Sequence, residues 1–171
     1  MVSPTRPILL IIYHSPLFPA HWSLYIHSAR SRETGTRIHV TGDLLTGFTH
    51  EFVRHYNLRA ETRSYSLLAL GSVPSSIVEG EKDEEHSGEA GRGSNQQETI
   101  DQSPRNALER VAMRIEAPGK SLRGVACSEG RERRVEVKNC QTWLKDLVQE
   151  LVGEGMLGET ALEVVDGAPK H

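Results

Sequence analysis

The stretch His21-Trp-Ser-Leu-Tyr-Ile-His27 decides how the chain folds, because apolar residues occupy every second position along it. A two-residue period is typical of a β-strand with one face in the core and the other face free for chemistry. The apolar set is Trp22, Leu24 and Ile26, and the second set is His21, Ser23, Tyr25 and His27. The sequence therefore predicts a half-buried strand with a polar working face.

Four further stretches predict strands around this one. Residues 7–13 form a short apolar run that starts at a proline, which favours a central strand over a helix. Residues 36–40 alternate again and follow a hairpin loop at residues 31–35. Residues 48–56 and 64–73 are interpreted as further extended segments. The hairpin predicts that the working faces of two adjacent strands lie on one side of a sheet.

Helices are predicted in the second half of the chain. Residues 106–115 carry apolar side chains at helical spacing. Asn139 is a good N-cap for a longer helix, which stops near Gly153 or Gly155. Its apolar stripe is Trp143, Leu144, Leu147, Val148, Leu151 and Val152. Residues 160–165 are predicted to form a short helix or strand.

Residues 79–103 differ in composition from the rest of the chain. Glu, Asp, Gly, Ser, Gln and Asn dominate there, and apolar residues nearly vanish. Such a segment buries too little surface to order itself, so we expect a loop or a disordered insert. The other residues suffice for one core, which predicts a single α+β domain over residues 1–171.

The composition excludes several function classes. The chain has 171 residues and a net charge of −3, so no basic surface for a nucleic acid is indicated. The apolar run at residues 8–13 is too short to span a bilayer, and it lacks the pattern of a secretion signal. Two cysteines cannot build a disulfide framework, which favours a reducing compartment. We therefore expect a cytoplasmic protein with no membrane span, no nucleic-acid partner, no metal and no other cofactor.

Cys140 carries the strongest chemical signal in the sequence. It follows the predicted N-cap Asn139, so its thiol faces unpaired backbone N–H groups and the positive end of a helix dipole. Both favour the nucleophilic thiolate, and the same N–H groups suit an oxyanion. A thiol nucleophile needs a base, and His21 and His39 share one face of the predicted hairpin. We expect the helix that carries Cys140 to pack across that face.

Three blocks of the sequence, in this order, resemble a known group of enzymes. They are the His21-Trp22 strand with Tyr25, the Ile-His39-Val strand, and Asn139-Cys140-Gln141 at the start of a helix. The order is similar to that of the circularly permuted NlpC/P60 proteins, which are papain-like, and more narrowly to their lecithin:retinol acyltransferase-like branch. The chain also resembles a set of uncharacterised fungal proteins with His-Trp and Asn-Cys-Gln-x-Trp blocks.

This resemblance implies a permuted papain-like fold, in which an antiparallel sheet packs against the helix that bears the cysteine. It implies that Cys140 is the nucleophile, that His21 is its base and that His39 orients the base. The matching blocks assign substrate binding to Trp22, Tyr25, Asn139 and Gln141. Gln141 stands where the acyltransferase branch often has Glu, and the hydrophobic membrane anchor of that branch is missing from the sequence.

Two functions of different classes follow from these residues. The first is a thiol hydrolase or acyltransferase that acts on an amide, ester or thioester carbonyl. Its substrate would be a small molecule, a peptide or a carrier-bound acyl group. The alternative is a papain-like binding or regulatory module that has lost turnover. Cys127 lies in a polar, turn-rich stretch and is assigned a structural role.

Overall fold

A computed structural model describes residues 4–80, 97–120 and 138–171 of the chain. Its centre is one six-stranded antiparallel sheet with the strand order β5-β1-β2-β3-β4-β6. The strands are β1 (Thr5–Tyr13), β2 (His21–His27), β3 (Thr34–Asp43), β4 (Gly47–Asn57), β5 (Tyr65–Pro74) and β6 (Thr99–Asp101). The α+β class is confirmed, and the strand that opens at His21 lies in the middle of the sheet.

The helices follow the sheet along the chain. They are α1 (Ser75–Val78), α2 (Ala107–Arg114), α3 (Cys140–Gly153) and α4 (Thr160–Asp166), and Leu58–Ala60 forms a single 3-10 turn. The side chain of Asn106 caps α2 by accepting a hydrogen bond from the backbone N–H of Glu109. Helix α3 forms because its apolar residues recur every three or four positions, and that stripe is buried.

The two faces of the sheet are covered differently. On one face, which we call the helical face, Trp22, Leu24 and Ile38 pack into a large apolar core with helices α2, α3 and α4. On the other, the tyrosine face, Tyr13, Tyr25 and Tyr56 form a smaller cluster with Ile11, Val53 and Leu58. Side chains alternate along each strand. The residues on either side of Trp22 in β2 and of Ile38 in β3 therefore point to the tyrosine face.

Strands β2 and β3 separate at one end of the sheet. Their pairing runs from His27–Gly35 to Leu24–Ile38 and goes no further, although both strands continue. Residues 21–23 and 39–41 are thus left facing one another without ladder hydrogen bonds between the two strands. Strand β1 still pairs with β2 down to the Tyr13–His21 pair. The gap between β2 and β3 is the place where side chains from both faces of the sheet can meet.

The structure corrects one predicted boundary. Residues 79–103 were expected to lack structure, yet Thr99–Asp101 forms strand β6 on the outer edge of β4. A carboxylate explains the order, because Asp101 accepts hydrogen bonds from Arg54 on β4 and from Arg105. Residues 81–96 and Cys127 lie outside the described parts of the chain, so the predictions for them stay predictions.

Candidate active site

Two histidines meet across the gap between β2 and β3. Nε2 of His21 lies 2.9 Å from Nδ1 of His39, and the rings meet edge to face. The His21 ring also stacks against Tyr13, its cross-strand neighbour on β1. The structure thus brings together the two histidines that were predicted as site residues from the sequence. Nδ1 of His21 makes no hydrogen bond within the described residues and is not fully buried.

Glu51 extends this pair to a third strand. It lies directly opposite His39 in the β3–β4 ladder, and its Oε2 is 3.3 Å from Nε2 of His39. That nitrogen is buried, and the contact is too poorly aligned to count as a hydrogen bond. Glu51 was not predicted as a site residue, because only the register of β3 and β4 places it opposite His39.

Both imidazoles are held in their neutral forms. Burial, reinforced by the positive charges of Arg37 and Arg63, lowers the pKa of His21 from 6.5 to about 4. Burial also depresses the pKa of His39, with further contributions from Arg37 and from the neighbouring His21. A neutral imidazole can accept a proton, whereas an imidazolium cannot, so the pair is in the state that a general base requires.

Cys140 is the first residue of α3, as the sequence predicts. The Asn139 side chain accepts hydrogen bonds from the N–H groups of Gln141 (2.9 Å) and Thr142 (3.2 Å). Oγ1 of Thr142 in turn accepts one from the Asn139 N–H at 2.7 Å, which completes a capping box. Two of the helix-terminal N–H groups that we expected to be free are therefore engaged by the cap.

The sulfur of Cys140 is largely buried. The residue is 8% exposed and belongs to the core on the helical face. The nearby backbone N–H groups of Trp22, Cys140 and Gln141 favour the thiolate, but burial outweighs them and raises the pKa of the thiol. The sequence did not reveal how deeply the sulfur is buried. The helix terminus acts as predicted, and desolvation is the larger effect.

The helix also lies on the other side of the sheet from the predicted one. Cys140 packs with Trp22 and Leu24 on the helical face, whereas the His21 ring stacks with Tyr13 on the tyrosine face. We expected the helix to cross the histidine face, and this was wrong because Trp22, Leu24 and Ile38 supply the larger apolar surface. The sulfur instead lies on the helical side of the gap between the strands, near the Trp22 N–H.

No hydrogen bond joins the Cys140 sulfur to an imidazole among the described residues. The link between them is indirect. One of the backbone N–H groups near the sulfur belongs to Trp22, and His21 is the preceding residue of the same strand. The separation of β2 from β3 leaves that N–H without a ladder partner on β3. The candidate base is thus His21 itself, and the candidate nucleophile lies near the backbone of the next residue, Trp22.

The four residues assigned to substrate binding make contacts within the protein. Tyr25 and Trp22 are fully buried, and the Trp22 indole N–H donates to the carbonyl of Pro169 at 3.0 Å. The side chain of Gln141 donates to the carbonyls of Ala20 (2.8 Å) and Lys170 (3.0 Å). Asn139 caps the helix. These contacts fix the walls of the site, and direct contact with a substrate stays a prediction for all four residues.

The last described residues lie against the site. The backbone N–H of Ala20 donates to the carbonyl of Lys170 at 2.9 Å, beside the Trp22 and Gln141 contacts to the same segment. Residues 169–170 therefore join the start of β2 to the start of α3. This segment holds the two candidate catalytic elements in register and was not anticipated from the sequence.

None of the helices in the described residues is long and apolar enough to cross a membrane. In residues 4–80, 97–120 and 138–171, no group of three or more His, Cys, Asp or Glu side chains is arranged to hold a metal ion.

Comparison with known proteins gives one match. No curated protein and no solved structure matches the chain. A protein-family profile does match, and it covers residues 8–158, which includes His21, His39, Glu51 and Cys140. The chain therefore belongs to a family of unknown function, DUF6540.

Proposed function

We propose that the protein is a thiol hydrolase or acyltransferase in which Cys140 attacks an amide, ester or thioester carbonyl. The observation that carries the proposal is the position of His21. Its Nε2 is held by His39, its Nδ1 makes no hydrogen bond within the described residues, and the backbone N–H of the next residue of its strand lies near the Cys140 sulfur. A base whose far nitrogen is fixed by a second polar residue is the arrangement of nucleophilic triads.

The contact with Glu51 supports a particular tautomer of the pair. A carboxylate beside Nε2 of His39 favours a proton on that nitrogen, because a carboxylate only accepts hydrogen bonds. Nδ1 of His39 is then an acceptor, and Nε2 of His21 must be the donor between the rings. The lone pair of His21 consequently lies on Nδ1, the nitrogen that is free to take the thiol proton.

The chemical steps follow from that arrangement. Nδ1 of His21 takes the proton from Sγ as the sulfur bonds to the substrate carbonyl carbon, and the carbonyl electron pair moves to oxygen. The N–H groups of Cys140 and Trp22, which lie near the sulfur, are the donors available for that oxyanion. When the intermediate collapses, the leaving group takes the proton from His21. Water, or an acceptor alcohol or amine, then attacks the thioester and regenerates the thiol.

Apolar side chains at the same end of the sheet support an acyl substrate. Leu17 and Phe18 are exposed in the loop that leads into His21. Leu45 is exposed in the β3–β4 turn, which lies at the same end because β2 and β3 are antiparallel. Exposed apolar residues scattered over a surface mean little, but three at the rim of one site favour an apolar ligand group.

We also assign the chain to the permuted papain-like fold. The order of base, orienting residue and nucleophile along the chain supports this, as does an antiparallel sheet that carries the histidines and a helix that begins at the cysteine. The chemistry requires a reduced thiol, and Cys140 is a free cysteine. This agrees with a cytoplasmic location, which we propose on that ground.

Thiol labelling tests the function directly. Iodoacetamide should alkylate Cys140 in the folded protein far faster than Cys127, as measured by peptide mass spectrometry over time. His21→Gln should slow the reaction at Cys140 by about a hundredfold, the usual effect of a lost general base. His55→Gln is the matched control, because that histidine is exposed on β4. Equal, slow alkylation of both cysteines would refute the proposal.

A second candidate is a binding module without turnover. The raised pKa and the 8% exposure of Cys140 favour it, because a buried neutral thiol is also what a structural cysteine displays. Hydrolysis of an activated ester such as p-nitrophenyl acetate separates the two. Turnover that is lost in Cys140→Ser supports the enzyme, whereas identical background rates for both proteins support the module.

A further inference from the structure

The tyrosine face holds three buried polar atoms that make no hydrogen bond within the described residues. They are Oγ of Ser23, Nε of Arg37 and Nε2 of His39. All three residues lie on β2 and β3, and the alternation of these strands places them on one face. Buried polar groups are almost always paired, so three adjacent exceptions call for a physical explanation.

Arg37 is the most unusual of the three. The residue is 9% exposed, and no carboxylate forms an ion pair with it in the described part of the chain. Its Nη1 donates to the Tyr13 hydroxyl at 3.1 Å, and its guanidinium carbon lies 4.6 Å from the centre of the Tyr56 ring. A buried charge without a counter-charge is costly, and contacts with tyrosines offset only part of that cost.

The free part of the Arg37 guanidinium is its binding edge. Nη1 is engaged by Tyr13, while Nε and Nη2 donate no hydrogen bond to any residue that the structure describes. Nε and Nη2 share one edge, and a planar carboxylate matches that edge with two parallel hydrogen bonds. Nε is fully buried, whereas Nη2 is not among the buried unpartnered atoms, so a ligand would approach this edge from its Nη2 end.

The position of this edge connects it to the candidate active site. Arg37 and His39 are two residues apart on β3, which separates their backbones by about 7 Å. The guanidinium reaches over β2 to Tyr13 on β1, whose ring stacks against His21. The path passes Ser23, the small residue that follows His21 on the same face of β2. A ligand group held here would therefore lie beside the histidine pair.

We propose that Arg37, with Ser23, binds a carboxylate group of the substrate next to the His21–His39 pair. The proposal rests on the proposed function, and it defines the substrate as an acyl compound that carries a carboxylate a few bonds from the reacting carbonyl. Arg63 adds a second positive charge beside this carboxylate site. Its guanidinium carbon lies 3.9 Å from the centre of the Tyr13 ring, and its charge is shared with Glu61.

Titration with succinate tests the site in the full-length Cys140→Ser protein, so that no acyl transfer takes place. Binding is followed by NMR through the Arg Nε–H resonances and the imidazole resonances of His21 and His39. We expect saturable shifts of the Arg37 and histidine signals with succinate, and at least tenfold weaker binding to Arg37→Met. Arg37→Lys keeps the positive charge but loses the bidentate edge of the guanidinium, and it should bind succinate as weakly as Arg37→Met.

The controls make each outcome decisive. Arg105→Met, on an arginine that is partly exposed and paired with Asp101, should bind succinate like the parent. The proposal would be overturned if the NMR shifts did not saturate with succinate, or if Arg37→Met or Arg37→Lys bound succinate as well as the parent. Tighter binding of inorganic phosphate than of succinate would also overturn it. Succinate binding together with an unreactive Cys140 would leave the carboxylate site intact and remove only the enzymatic function.

Discussion

The buried state of His21 predicts a measurable loss of stability in acid. The pKa of His21 is 6.5 when unperturbed and about 4 in the folded protein, chiefly because burial disfavours the charged imidazolium. Between these values the unfolded chain binds a proton that the folded chain does not. The free energy of unfolding must therefore fall as the pH falls from 6.5 toward 4.

The magnitude follows from the same two values. Each pH unit between the two pKa values is worth about 1.36 kcal/mol. Acidification from pH 7 to pH 4.5 covers most of that interval, so His21 should cost the folded state about 2 kcal/mol over this range. The stability contribution is complete above pH 6.5 and is lost progressively below it.

Urea unfolding at pH 7 and at pH 4.5, followed by the fluorescence of the buried Trp22 and Trp143, measures this effect. The comparison is with His21→Gln, which has no imidazole to protonate. Carboxylates that titrate in the same range affect both proteins equally, so the difference between the two pH-dependent losses isolates His21. Equal losses in the parent and the variant would refute the argument that burial holds this imidazole neutral.

Three further predictions concern residues around the site. Asn139→Ala removes the cap of α3 and should lower the free energy of unfolding by about 1–2 kcal/mol in urea titrations. Arg54→Met leaves the fully buried Glu109 carboxylate without its ion-pair partner, which should cost about 3–5 kcal/mol; adding Glu109→Leu should restore part of that loss in a double-mutant cycle. Glu51→Ala should slow the alkylation of Cys140 about tenfold, because it removes the acceptor that favours the productive tautomer, while Glu163→Ala on the exposed side of α4 should not.

Local patterns predicted most of the elements and could not predict how they pack. The two-residue period of β2 and the cap at Asn139 are properties of neighbouring residues, and the structure confirms both. The side of the sheet that α3 covers depends on the summed apolar area of several strands, which no single stretch displays. The prediction that α3 crosses the histidine face failed for this reason.

The residues that the sequence did not predict as part of the site were missed for the same reason. Glu51 becomes relevant only through the β3–β4 register, which pairs it with His39, and Arg37 only through its reach across β2 to Tyr13. Strand β6 could not be predicted from the sequence, because its order comes from the pairing of Asp101 with Arg54, far away along the chain. Contacts between distant residues decide each of these features, and a single sequence shows such residues without their partners.

The charges around the histidine pair suggest how substrate binding and proton transfer are coupled. Arg37 and Arg63 lower the pKa of His21, so they oppose the imidazolium that must form when the thiol gives up its proton. Glu51 is the only carboxylate that contacts either imidazole in the described residues, and it acts through His39. A carboxylate bound by Arg37 would offset one of the two opposing charges and make His21 more basic. The thiol of Cys140, which burial keeps protonated at rest, would then lose its proton most readily when the substrate is in place.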